Sequence, residues 1–137
     1  MENMAERRKG LIKCTQINLK HSRAATDNLM QIIATENIDI ILVQEPYLYK
    51  EKIRGVSRKY RTYSHGEGRR RAAIILANNS IGALLITQHS DEDTVLFEIQ
   101  QENEQYYAAS IYMDYNATID IELKRIEKIH LPKERNC

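Results

Sequence analysis

The chain has 137 residues, 42% of them hydrophobic, with a net charge of +1. That suffices for one domain with a real core and is too little for two. The near-neutral balance excludes a general polycation, so nucleic-acid affinity must come from local patches.

Residues 1–9 read as a flexible polar leader. No apolar stretch follows the first charged residues, so no secretory signal is expected, and no apolar run is long enough to span a bilayer. The run Leu11 to Asn18 reads as a buried strand, with Cys14 as a small buried residue. The other cysteine, Cys137, is a loose end. The pair has no metal-ligand spacing and fits a reducing, intracellular compartment. Ser22 is a good N-cap, and Ala25, Leu29, Ile32 and Ile33 follow at helical spacing. That stripe suits a helix lying on a sheet and ending near Glu36 and Asn37. Asp39 to Glu45 is apolar nearly throughout, as in a strand covered on both faces. Pro46 ends it.

Residues 46–71 read as a long loop rich in Tyr, Lys and Arg. A polar, aromatic-bearing loop at a strand's carboxyl end suggests function. Tyr47, Tyr49, Tyr60 and Tyr63 can stack on bases, or can pack against the edge of the core. Arg58 to Arg71 is the main basic patch and Arg7-Arg8-Lys9 a second. Four strands follow, over Ala72 to Ala77, Ala83 to Thr87, Thr94 to Gln100 and Tyr106 to Met113. Their period-two alternation predicts antiparallel pairing in a sheet or sandwich. Ile119, Leu123 and Ile126 predict a helix over residues 118–130, which Pro132 stops before a tail over 132–137.

Two strand ends carry the chemistry. Asn18 and Glu45 each bring a hard oxygen to the carboxyl end of an apolar run, and a single helix between those runs sets the ends side by side. A Mg²⁺ ion takes one or two such ligands, with water and phosphate completing its shell. A carboxylate directly after Ile40 to Val43 is costly unless something pairs with it. Glu45 is otherwise an exposed strand-end carboxylate, and Asn18 a turn or helix-entry residue.

The segment Gln16-Ile17-Asn18-Leu19-Lys20-His21-Ser22-Arg23-Ala24-Ala25-Thr26, together with Val43-Gln44-Glu45-Pro46-Tyr47, resembles the start of the endonuclease/exonuclease/phosphatase domain. More narrowly it resembles the apurinic-type endonuclease of non-LTR retrotransposons, over about Leu11 to Leu131. Ala109-Ser110-Ile111-Tyr112 resembles the strand that carries the family's active-site tyrosine. The resemblance implies a Mg²⁺-dependent phosphodiester hydrolase, nuclear, that nicks DNA to prime reverse transcription, with the rest of a retrotransposon polyprotein as partner. It implies that Asn18 lies near the scissile phosphate, that Glu45, with Asn18, binds metal, and that Tyr112 hydrogen-bonds near the phosphate and the attacking water. Arg69, Arg70, Arg71 and Tyr47 are the candidate nucleic-acid contacts. On residue pattern alone, Tyr112 reads as a half-buried strand tyrosine.

Two motifs of the family are missing from their places. Asp114-Tyr115-Asn116 has the letters of the later Asp-x-Asn motif but directly follows the Tyr112 strand, so it reads as a loop. No histidine follows Ser-Asp, and His21, His65, His89 and His130 read as surface residues. The expected fold is therefore α/β, a partial four-layer α/β/β/α sandwich of the DNase I-like type. Residues 10–131 would be the amino-terminal part of that domain, marginally stable and inactive alone. The alternatives are a non-catalytic nucleic-acid-binding remnant, or a phosphoesterase of the same superfamily acting on lipids or small phosphate esters.

Overall fold

The computed structural model describes residues 11–113. The leader, the Asp114-Tyr115-Asn116 loop, the helix over 118–130, His130 and the tail with Cys137 lie outside the described residues.

The first strand, β1 (Cys14–Asn18), is followed by α1 (Arg23–Glu36) and β2 (Ile40–Gln44). The helix begins where expected. Ser22 is extended, and its Oγ accepts the backbone N–H of Ala25 at 3.1 Å. It ends on Asn37, whose left-handed φ of 54° closes the last turn. Thr26, Leu29 and Ile33 form the buried face. Ile32, expected in that stripe, is turned outward and exposed. Thr26 joins the buried face instead, and its hydroxyl donates to the Ser22 carbonyl at 2.8 Å.

A helix linking β1 to β2 makes the pair parallel, with Asn18 opposite Gln44. Two short strands, β3 (Leu48–Tyr49) and β4 (Lys52–Ile53), then form a hairpin. The turn residues Lys50 and Glu51 both have positive φ, 53° and 63°, which matches the twist of a tight two-residue hairpin. β5 (Arg61–Tyr63) joins the main sheet. The stretch expected as one long loop thus holds three short strands, each too brief for periodicity to reveal.

β6 (Ala72–Leu76) runs antiparallel to both β2 and β5, and the main sheet has the order β1-β2-β6-β5. All five residues of β6 are buried because both of its faces are covered. On one side Ile41, Val43, Ala73 and Ile75 pack against Leu29 and Ile33 of α1. On the other, Ile40, Ala72, Ile74 and Leu76 pack against Val95, Phe97 and Ile99 of the second sheet. That sheet comprises β7 (Gly82–Leu85), β8 (Thr94–Gln101) and β9 (Glu104–Ile111), all antiparallel. The layers among the described residues are therefore helix, sheet and sheet.

β1 lies at the edge of its sheet, and its residues alternate between exposed and half-buried. Cys14 is accordingly exposed, not buried as its apolar neighbours suggested. At the start of β2, Asp39 is 3% exposed. Its Oδ2 accepts the Lys13 N–H at 2.8 Å and its Oδ1 accepts from Asn78 Nδ2 at 3.1 Å. Its backbone carbonyl accepts from Ala77 N–H at 2.8 Å. This buried carboxylate ties together β1, β2 and the turn after β6.

Candidate functional site

At the other end of β2 the backbone turns sharply. Glu45 follows the strand in the left-handed region at φ 51°, as do Lys20 at 51° and His21 at 57° after β1. Such a conformation costs a non-glycine residue about 1–2 kcal/mol, so surrounding bonds must hold it. They do. Asn18 Oδ1 accepts the Lys20 N–H at 2.8 Å. The N–H of His21 donates to the Glu45 carbonyl at 2.8 Å, and the N–H of Glu45 donates to the Arg71 carbonyl at 2.9 Å. His21 Nδ1 lies 2.8 Å from the Pro46 carbonyl, which accepts when that nitrogen carries the proton. Its Nε2 is then left facing Glu45 Oε2 at 3.7 Å.

Above this turn is a cavity of about 480 Å³ lined by His21, Glu45, Arg69, Arg71, Glu92, Asp93 and Tyr112. Arg71 organises one wall. It donates from Nε and Nη2 to the two carboxylate oxygens of Asp93, both at 2.7 Å. This planar two-bond fit is one that lysine cannot make. The same guanidinium lies 4.7 Å from the ring centre of Tyr112, a cation–π contact. Tyr112 is held in turn by its N–H, which donates to the Asp93 carbonyl at 2.8 Å. The two sheets are joined beneath the cavity by Ser110. Its buried hydroxyl donates to the Val43 carbonyl at 2.7 Å and accepts from Gln44 Nε2 at 3.2 Å.

Glu92 closes the rim. Its carboxylate accepts the Glu67 N–H at 2.8 Å. That bond, then its own backbone N–H, hold its pKa below the ordinary 4.5 against the opposing effect of burial, with lesser help from the nearby charges of His65 and Arg70. The close approach needs Gly66, which has φ 97° and whose missing Cβ would lie 2.5 Å from the Glu92 carboxyl group.

The structure thus gathers Glu45, Tyr112, Arg69 and Arg71 around one cavity, while Asn18, Arg70 and Tyr47 are not among its lining residues. Asn18 spends a side-chain oxygen on the Lys20 turn. Arg70 donates to the carbonyls of Gly66 and Glu51 and so braces the loop. Tyr47 lines a small apolar hollow with Leu19, Val43 and Ile53. Among the other loop tyrosines, Tyr60 packs on the helix-side core and Tyr63 stands edge-on to Phe97 at 5.5 Å, leaving Tyr49 exposed. His21, read from sequence as a surface residue, lies in the site. Asp93 was not singled out, and Ser110 appeared only as a neighbour of Tyr112 in its strand, with no role of its own. The acidic run Asp91-Glu92-Asp93, set against Arg69-Arg70-Arg71, was the available signal for the first; the second had none.

No family model and no curated protein matches the chain. Among solved structures, the endonuclease domain of TRAS1, a telomere-specific non-LTR retrotransposon, superposes with a TM-score of 0.79 at 22% identity. The match covers 90% of this chain and 54% of that one, so the chain spans about half of the domain it matches. The fold is DNase I-like.

The DNase I-like sheets account for the placement of the cavity, at the carboxyl end of the parallel pair β1 and β2. No group of three or more His, Cys, Asp or Glu side chains poised to hold a metal occurs among the described residues. Of the three carboxylates that line the cavity, Asp93 is committed to Arg71 and Glu92 accepts the Glu67 N–H, while Glu45, with its side chain 23% exposed, faces His21. A carboxylate with room for water beside it is the kind of ligand that a hard, well-hydrated cation takes. No helix among the described residues is long and apolar enough to cross a membrane.

Proposed function

We propose that this chain supplies the Glu45 and Tyr112 part of a Mg²⁺-dependent DNA-nicking site, of the apurinic-type retrotransposon endonuclease kind. The observation that carries the reading is the convergence of Glu45, Arg71 and Tyr112 on one cavity at the carboxyl end of β2, on a DNase I-like fold. Glu45 would hold the cation, with Asn18 orienting phosphate or bound water from the adjacent strand end. When bound, Mg²⁺ would polarise the phosphodiester and stabilise the leaving oxygen. Tyr112 would offer its hydroxyl to the phosphate, with its ring fixed by Arg71. Arg69, the exposed member of the arginine triplet, would attract the DNA backbone. A general base and a phosphate-clamping histidine would come from elsewhere in the whole protein. Residues 10–131 would be one domain unit, acting in the nucleus beside a reverse transcriptase.

A second reading, DNA binding without cleavage, is favoured by the commitment of Asp93 to Arg71 and of Glu92 to the Glu67 N–H, which engages both other carboxylates of the cavity. Mg²⁺ titration followed by NMR separates the two. The endonuclease reading expects saturable shifts at Glu45, His21 and Tyr112 that vanish in Glu45→Gln, with little plasmid nicking by the chain alone. Duplex binding with no Mg²⁺ response at Glu45 would leave the binding reading, and absence of both would sink the two together.

A further inference from the structure

A nicked strand must continue past the cavity, and the surface around it is unequal. We propose that DNA leaves the Glu45 and Tyr112 cavity across His21 and Arg69 and runs over the β3–β4 hairpin, contacting Lys50, Lys52 and Tyr49. This rests on the DNA-directed reading above and adds to it the path of the strand.

Three features of the surface point this way. A second cavity of about 370 Å³, lined by His21, Leu48, Glu51 and Arg69, shares His21 and Arg69 with the first. A polymer can therefore pass from one to the other with an arginine at the junction. The hairpin beside it is built to present side chains. Its turn is stiffened by two left-handed residues, and Arg70 Nη1 straps it by donating to the Glu51 carbonyl at 3.2 Å. Ile53 packs inward on the core, while Tyr49, paired across the hairpin with Lys52, is 55% exposed. Lys50 Nζ sits 5.5 Å from the centre of the Tyr49 ring, so an exposed aromatic face and a cation stand together. That combination suits stacking on a base beside a phosphate. The hairpin and the lining of the second cavity together carry Lys50, Lys52 and Arg69 against one carboxylate, Glu51.

The first cavity carries more acid than the second. Glu92 lines it and is held ionised, Glu67 lies beside Glu92, and the charge of Arg71 is met by Asp93. Glu92 and Asp93 do not line the second cavity, so a phosphate backbone is drawn toward the hairpin side.

The test is fluorescence anisotropy of the full chain with a short labelled DNA duplex across a salt series. Lys50→Glu with Lys52→Glu is compared with Arg58→Glu plus Lys59→Glu. The second pair comes from the basic stretch Arg58 to Arg71 but lines neither cavity: it makes the same change in net charge near the hollow lined by Lys59 and Asp39, at the other end of β2. The hairpin pair is expected to weaken binding at least tenfold and to lower the salt slope by about 2, since each lost phosphate contact removes about 0.9. The control pair should leave the slope unchanged, and Tyr49→Ser should weaken binding without altering it. Equal losses from the two pairs, or none from the hairpin pair, would overturn the path while leaving DNA binding intact. An unmodified chain that does not bind the duplex would overturn both. Circular dichroism checks that every variant is folded.

Discussion

Replacing Ser110 by alanine removes the hydroxyl that bolts β9 to β2 beneath the cavity. The bond to the Val43 carbonyl is short, 2.7 Å, and fully buried, so its loss is worth about 1 kcal/mol. Gln44 Nε2 loses its acceptor as well. Gln44 is half-buried, so water recovers part of that bond, and the added cost stays near the lower end of the roughly 1–3 kcal/mol for an unsatisfied group. The sum is about 2 kcal/mol, which lowers Tm by about 6–10 °C in a domain of this size. Thermal unfolding followed by far-ultraviolet circular dichroism measures it. A cycle with Gln44→Ala should show coupling of at least about 0.5 kcal/mol, because the two side chains share one bond. Near-ultraviolet dichroism should change too, since Tyr112 lies two residues beyond Ser110 and reports how β9 sits on the main sheet. A Tm within about 2 °C of the unmodified chain, or strictly additive single losses, would refute the inter-sheet bond as the element that sets Tyr112 against Glu45.

Three further outcomes follow from the geometry. Gly66→Ala forces a side chain into φ 97° and against the Glu92 carboxylate, and should cost about 1–2 kcal/mol in denaturant unfolding. Glu92 has a folded pKa below the unfolded 4.5, so its contribution is fully present above that value and is lost as pH falls through the folded pKa. The protection of the Glu67 amide, its exchange measured against the intrinsic rate at each pH, should therefore fall on acidification below about pH 4.5, and Glu92→Gln should abolish that acid step. Cys14→Ser should leave stability within about 0.5 kcal/mol, as at any exposed edge position. Partial shelter of the sulfur raises the thiol above its ordinary 9.0, so alkylation of Cys14 should be slow at neutral pH despite its exposure.

Much of this architecture was legible in the residues. Ser22 marked the start of α1 and Asn37 its end, because capping is local chemistry. The unbroken apolar run through Val43 announced a strand covered on both faces, and β2 is one. Glu45 and Tyr112 were placed by resemblance, and the fold brings them to one cavity. What escaped was set by contacts between distant segments. Cys14 is exposed because β1 is an edge strand, a fact of sheet order that its own neighbours do not carry. On β9 the sequence alternation could not say which face was inward, and it is the face of Ala108 and Ser110 that meets the main sheet. His21 entered the site through a left-handed turn, which histidine adopts more readily than most residues but which hydrophobic periodicity does not announce. The arginine triplet read as one patch, yet neighbouring arginines do separate jobs: Arg70 braces a loop and Arg71 clamps Asp93.

The buried carboxylate at the foot of β2 has a consequence for the opposite end. Asp39 and Glu45 are six residues apart on one extended segment, a span of about 20 Å. A strand that slips by a single position turns every side chain to the other face. The bonds of Asp39 to Lys13, Asn78 and Ala77 are specific to one register. Asp39 therefore acts as the zero mark of a ruler whose far graduation is Glu45. A lesion at Asp39 would misalign the cavity without touching it, and a screen for loss of function would find it among residues that never meet the substrate.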